Sequence, residues 1–280
     1  MTSGTERVEV DGRGVRYRVS GAGDPVVALH GIGRSLDDFA DQHELLTDFR
    51  LYSADLAGFG GSDPLPGRST LPALADFVAD FVDVVGESRP AHLVGNSLGG
   101  AVAMLLALRH PDRVRSLVLV NSAGFGREVT IALRILALRP LGRLLLRPSR
   151  EASRRSERAI FRDASFVTEE RIARHLEMSR RPPGARVLLE LSRSLGSFGG
   201  VRRQWRDAVV TATAARAVPT LVVWGSHDLV LPAAHLEAAK LLLPHARTHL
   251  FTDTGHMPQI ERAAEFAQLV RDFWQAPDPA

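Results

Sequence analysis

The sequence predicts an α/β fold built on a mostly parallel, twisted sheet flanked by helices. Three observations carry that prediction. Short, continuously apolar runs of strand length alternate with segments of helical period, as βα units require. One junction between such runs, Gly95-Asn96-Ser97-Leu98-Gly99-Gly100, sets a serine among three glycines between a strand run and a helix run. The chain has 280 residues and 45% hydrophobic content, enough to bury one substantial core and to carry one large insertion.

In chain order, Arg7 to Val10 and Val15 to Val19 alternate as a hairpin would, with Asp11-Gly12-Arg13-Gly14 as the turn. Parallel-type strands are expected at Val26 to Leu29, Arg50 to Ala54, Ala91 to Val94, Val114 to Val120, Thr220 to Trp224 and Thr248 to Phe251. Helices are expected between them. Leu74, Phe77, Val78, Phe81, Val82 and Val85 recur at helical spacing, as do Ile260, Ala264, Phe266, Leu269, Val270 and Phe273 within Pro258 to Trp274. Both stripes read as core-facing.

The strand, small-residue turn and helix around Ser97 form the context in which a G-x-S-x-G pattern is specific, because the tight turn lifts the serine hydroxyl out of the sheet. Ser97 is the candidate nucleophile. A serine hydroxyl needs a base within hydrogen-bond reach and a third group to orient that base. Asp228 follows the strand run ending at Gly225, and His256 follows the run Thr248 to Phe251. Both stand past the C-terminal end of a strand, where open parallel sheets place their chemistry. Of the ten histidines, His227 adjoins Asp228 in an extended loop and points away from it, while the others besides His30 lie where packing or surface roles are expected. His30 opens His30-Gly31-Ile32-Gly33 after a strand and is expected to brace that turn beside the substrate.

Acyl transfer also needs N–H groups aimed at the oxygen that becomes negative. Leu98, next after the nucleophile, supplies one candidate. Ile32 supplies the other, with Gly33 as its neighbouring alternative.

With these residues in view, the chain resembles the α/β-hydrolase fold serine hydrolases that carry a helical cap. The resemblance rests on five motifs: His30 to Gly33 (HGIG), Asp55 to Asp63, Gly95 to Gly100 (GNSLGG), Trp224 to Asp228 (WGSHD) and Gly255 to Glu261 (GHMPQIE). It implies the α/β-hydrolase fold, a Ser-Asp-His chain order and a cofactor-independent hydrolase. It leaves the substrate open, since fold does not fix function.

Composition adds exclusions. The absence of cysteine removes disulfides, thiolate nucleophiles and cysteine metal sites. The glycines of Asp55 to Asp63 do not make a phosphate loop, because that segment has no lysine and the chain's single lysine is Lys240. No cofactor and no metal are expected. With neither a signal-like apolar core in Met1 to Val10 nor a run of spanning length, a cytoplasmic location is expected.

Residues 126–218 break the strand–helix alternation and are expected to form the cap, leaving 1–125 and 219–280 as the catalytic domain. From Arg127 to Arg216 there are 20 arginines against 9 acidic residues, a balance of +11 in a chain of net charge +3. That balance fits solvated helix faces and cap-to-body ion pairs; nucleic acid is not expected, because the arginines lack interleaved aromatics. An anionic substrate held by a cap arginine and weak contact with an anionic membrane surface are further readings, and Ile131 to Leu146 reads as an amphipathic lid over an apolar acyl pocket.

The expected activity is hydrolysis of carboxylic esters of small or medium, lipophilic acids. Ser97 argues against epoxide hydrolase and haloalkane dehalogenase chemistry, whose relatives in this fold use an aspartate. The alternative is carbon–carbon bond hydrolysis, because Asn96 before Ser97 resembles the meta-cleavage-product hydrolases. Their carboxylate-binding arginine would fall at or beside Arg174 and His175. Two departures from that family are Arg34-Ser35, where a Gly-Pro-Gly-like run is expected, and Met257, where a tryptophan usually follows the histidine. A third reading is a non-catalytic protein that binds a ligand or partner.

Overall fold

In the computed structural model the described residues are 4–138, 142 and 146–276. Met1 to Ser3 of the N-terminal stretch, and residues 139–141 and 143–145 of the arginine- and leucine-rich stretch at 131–146, lie outside them.

Strands β1 (Glu6–Val10) and β2 (Arg13–Ser20) form the predicted hairpin, but its turn is two residues long rather than four. Asp11 and Gly12 have φ of +47° and +72°, the left-handed pair whose twist matches that of the flanking strands, so pairing resumes at once with Val10 opposite Arg13. The remaining strands of the main sheet are β3 (Pro25–Leu29), β4 (Arg50–Ala54), β5 (Ala91–Asn96), β6 (Val114–Val120), β9 (Thr220–Gly225) and β10 (Arg247–Phe251). The order across the sheet is β1-β2-β4-β3-β5-β6-β9-β10. β2 pairs antiparallel with β1 and β4, and every other pairing is parallel. The central strands β3, β5 and β9 are buried along their whole length, which is why they read as largely apolar runs without alternation.

Helices cover both faces. α1 (Ala40–Leu45), α2 (Leu71–Val84) and α3 (Leu98–Arg109) belong to the first half of the chain. α2 starts at Thr70, whose hydroxyl accepts from the Ala73 N–H. Its predicted stripe packs with α3 residues on one face of the sheet, whereas Phe39, Phe49, Phe266, Val270 and Trp274 cover the other.

Between β6 and β9 run α4 (Ile131–Leu136), α5 (Arg150–Ile160), α6 (Glu169–Arg180), α7 (Pro182–Leu195), a two-residue hairpin of β7 (Gly196–Ser197) and β8 (Gly200–Val201), and α8 (Arg203–Arg216). The last third adds α9 (Ala234–Leu242), α10 (Pro258–Glu261) and α11 (Ala263–Gln275). The sequence period suggests one helix from Pro258 to Trp274; the chain instead breaks at Arg262, whose φ of −128° and ψ of 42° are not helical. Among the described residues no helix is long and apolar enough to cross a membrane.

Candidate active site

Ser97 is the hinge between β5 and α3. Its φ of +55° and ψ of −112° are unusual for a residue with a side chain. Such strain persists only where the surroundings impose it, and here they do. A Cβ on Gly95 would stand 2.4 Å from the Gly99 carbonyl, and one on Gly99 would stand 2.1 Å from the Leu29 carbonyl oxygen. Only glycine lets α3 leave the strand this closely. The turn is also sewn to β6, with the Ser97 N–H on Val120 O at 3.0 Å and the Ala123 N–H on Ser97 O at 3.1 Å.

Asp228 and His256 meet across the tips of β9 and β10. The imidazole Nδ1–H donates to Asp228 Oδ2 at 2.7 Å, both residues being buried. The same carboxylate is otherwise saturated: Asn121 Nδ2 donates to Oδ2 at 2.6 Å, and the Val230 and Leu231 N–H groups donate to Oδ1 at 2.7 and 3.0 Å. Burial alone would raise the Asp228 pKa, but His256, the Asn121 amide and the Leu231 N–H together bring it below the ordinary carboxylate value. The carboxylate stays ionised and fixes which imidazole nitrogen carries the proton.

The histidine backbone is gripped from two sides. Asn96 Nδ2 donates to His256 O at 3.1 Å and to Val120 O at 3.2 Å, so the residue before Ser97 fixes the residue that holds the imidazole. The His256 N–H in turn donates to Ile160 O, at the end of α5, at 2.7 Å. The side chain next before Ser97 is thereby bonded to the backbone of the histidine that holds Asp228.

The loop after β3 lies against the same turn. A Cβ on Gly31 would sit 3.4 Å from Ser97 Cβ. His30 is fully buried, with Nε2 accepting the Leu56 N–H at 2.9 Å and Nδ1–H donating to Gly31 O at 2.7 Å. Burial lowers its pKa, so the ring is neutral, and both nitrogens are spent on backbone. Ile32 follows Gly31 in this loop and Leu98 opens α3, and among the described residues neither N–H meets an acceptor. Gly33 has φ +71°, and a Cβ there would lie 4.0 Å from Leu188 of α7. Leu188, Ile32, Val129, Leu133 and Ile160 are half-buried and pack onto the main core.

The remaining candidates lie elsewhere or are engaged. Met257 is buried with Phe161 and Ile260 under the histidine loop. Arg174 pairs with Glu170 one turn away on α6, at 2.6 Å. His175 Nδ1 lies 3.0 Å from Glu157 Oε1, an oxygen that also takes Arg34. Burial would push Glu157 up, yet Arg34 and His175 outweigh it and hold this carboxyl down at about 2. A serine–histidine contact away from Ser97, with His43 between the Ser20 and Ser53 hydroxyls at 2.6 and 2.7 Å, lies buried where β2 and β4 meet α1, and burial takes its ring down to about 3. Among the described residues no carboxylate bonds to this ring.

Asp55, next after β4, acts as a fastener. Its oxygens accept the Leu36 and Gly61 N–H groups at 2.7 and 2.6 Å and Arg16 at 3.2 Å, so its glycine-rich turn wraps a carboxylate of the chain itself. Asn121, Arg34, Glu157 and Glu261 border the site without having been predicted. Asn121 carried one signal, an asparagine after a strand, the side chain best suited to its φ of +44°.

Residues 24–263 match the family model of the alpha/beta hydrolase fold. The chain belongs to the α/β-hydrolase family. Among curated relatives, this hydrolase is 36% identical to the dihydrolipoyllysine-residue acetyltransferase component of the acetoin cleaving system of Cupriavidus necator, over 94% of the chain and 67% of the relative. It is 33% identical to the 2-hydroxymuconate semialdehyde hydrolase of Pseudomonas sp. strain CF600, over 97% and 95%. Among solved structures, a bacterial membrane phospholipase A superposes with a TM-score of 0.79 at 25% identity, covering 97% of this chain and 86% of that one. The chain is an enzyme of a hydrolase family that acts on small molecules.

Proposed function

We propose that this enzyme is a cofactor-independent serine hydrolase of carboxylic esters with small or medium, lipophilic acyl groups. The observation that carries the reading is the Asp228–His256 pair, clamped through Asn96 to a strained Ser97. His256 takes the Ser97 proton as Oγ attacks the ester carbonyl, and the Ile32 and Leu98 N–H groups receive the oxyanion, with Gly33 shaping the loop. The proton then passes to the leaving alcohol. Water, deprotonated by His256, releases the acid from the acyl-Ser97 intermediate. Residues 126–218 act as a cap, with Leu188 and Leu133 supplying apolar contact for the acyl group.

Carbon–carbon bond hydrolysis is the second reading, favoured by the 33% identity to a 2-hydroxymuconate semialdehyde hydrolase. Against it stand the ion pairs. A substrate carboxylate would need a cation, and Arg174, His175 and Arg34 already face Glu170 and Glu157. The test compares kcat/KM for p-nitrophenyl butyrate and for a 2-hydroxy-6-oxodienoate, in wild type and Arg174→Ala. The ester reading predicts a faster wild-type ester reaction and effects of the substitution within about threefold on both substrates. A faster dienoate reaction that Arg174→Ala cuts selectively, by the ~1.5–3 kcal/mol of a charge-assisted bond, would establish the second reading instead.

A further inference from the structure

Glu261 closes the Gly255 to Glu261 motif, and nothing in the proposed chemistry uses it. Its carboxylate collects three backbone donors: the Gly255 N–H on Oε1 at 2.7 Å, and the Arg162 and Asp163 N–H groups on Oε2 at 2.9 and 3.0 Å. One donor precedes His256, and two follow the end of α5, about a hundred residues earlier in the chain. Among the described residues Glu261 forms no ion pair, so these N–H groups are what hold its charge.

The two segments are in contact at other points. The His256 N–H bonds to Ile160 O at 2.7 Å. Gly255 lies so close that a Cβ there would stand 2.5 Å from Ile160 O and 2.7 Å from Arg162 N. Phe161 fills the space below, against Met257 and Ile260. Three backbone polar groups around the catalytic histidine are therefore fixed: Gly255 N by Glu261, His256 N by Ile160 and His256 O by Asn96. The first two depend on residues 160–163 staying docked.

We infer that Glu261 is a positioning residue for His256, acting by docking residues 160–163 of the inserted segment against the histidine loop. A catalytic group serves only while it is held within about 0.5 Å of its working place, and the shell behind it decides whether it is. The inserted segment on this account contributes to the catalytic machinery and is anchored at the C-terminal end of α5. The inference rests on the serine hydrolase reading for its kinetic consequence, though not for the docking itself.

Two variants test it. Glu261→Ala removes all three acceptors. Glu261→Gln keeps one oxygen, which serves the Arg162 and Asp163 pair best and turns its amide onto the Gly255 N–H, donor against donor. With p-nitrophenyl butyrate, kcat should fall about 10-fold in Gln and about 100-fold in Ala, with KM within twofold of wild type, because binding surfaces are untouched.

Hydrogen exchange supplies a readout independent of catalysis. The His256, Arg162 and Asp163 amides should exchange at least 10-fold faster in Glu261→Ala, and the Gly255 amide in both variants, while Val222 and Leu119 in the central strands keep their wild-type protection. If wild type cleaves no ester, the hydrolase reading fails and the exchange pattern alone decides the docking. The inference is overturned if kcat stays within twofold in Glu261→Ala, if those amides keep their protection, or if every core amide speeds up equally in Glu261→Gln, which would make Glu261 a general stabiliser.

Discussion

Replacing Asp228 by asparagine should cost about 10⁴-fold in kcat while leaving the protein folded. All four groups that meet the carboxylate are donors: His256 Nδ1 and Asn121 Nδ2 on Oδ2, the Val230 and Leu231 N–H groups on Oδ1. An asparagine can offer an oxygen to only one of these pairs. With the oxygen toward Val230 and Leu231, the amide hydrogens face the imidazole, which relieves the clash by moving its proton to Nε2. Nε2 can then no longer accept the Ser97 proton. With the oxygen toward His256, the tautomer survives, but two buried backbone donors lose their acceptor at about 1–3 kcal/mol each. The first arrangement is cheaper and inactive. Even the second leaves the imidazolium without its counter-charge in the transition state. A loss of 10⁴ corresponds to about 5.5 kcal/mol of transition-state stabilisation, the scale known for this substitution in serine proteases. Steady-state kinetics on p-nitrophenyl butyrate, with urea unfolding run in parallel, measures both halves of the expectation. A folded variant that retains more than a tenth of wild-type kcat would refute the assignment of Asp228.

Ser97→Gly should abolish turnover and raise Tm, because φ +55° with ψ −112° strains a serine and not a glycine. After the extra chain entropy of glycine is deducted, the gain is about 1 kcal/mol, or about 2–4 °C by calorimetry; a lower Tm would show that the turn stores no strain. Glu157→Gln should destabilise the protein at neutral pH in an acid-sensitive way. The native carboxyl titrates at about 2 against an ordinary 4.5, so its stabilising contribution is complete above 4.5 and disappears as pH falls through 2. Urea unfolding at a series of pH values should find wild type ahead by about 3 kcal/mol near pH 6 and the gap closing between pH 4.5 and 2. A gap independent of pH would remove the ion pair with Arg34 and His175 as its source.

How much of this was legible in the sequence depends on how local each feature is. The parallel strands announce themselves because burial on both faces leaves runs such as Leu221–Gly225 without a polar side chain. The Ser97 turn is equally local, being a matter of which small residues let a helix leave a strand. Asp228 and His256 can be named from their places after β9 and β10, but only the folded chain shows the 2.7 Å bond between them. Arg174 and His175 are visible as cations, whereas their availability is decided by Glu170 and Glu157, and the Arg34–Glu157 pair joins residues 123 apart. Glu261 stands in a motif that can be read directly, yet two of its three partners are backbone N–H groups nearly a hundred positions away. No side-chain pattern encodes a bond to a distant backbone. The break at Arg262 was hidden for the opposite reason, since α10 and α11 keep one helical period across it.

The most direct test of the central claim is covalent. Wild-type enzyme treated with a fluorophosphonate should gain the mass of one probe, with tandem mass spectrometry placing it on Ser97, and should lose its ester hydrolysis in step with labelling. Ser97→Ala should take up none. A label on any other residue, or wild-type protein that hydrolyses esters while remaining unlabelled, would contradict the account.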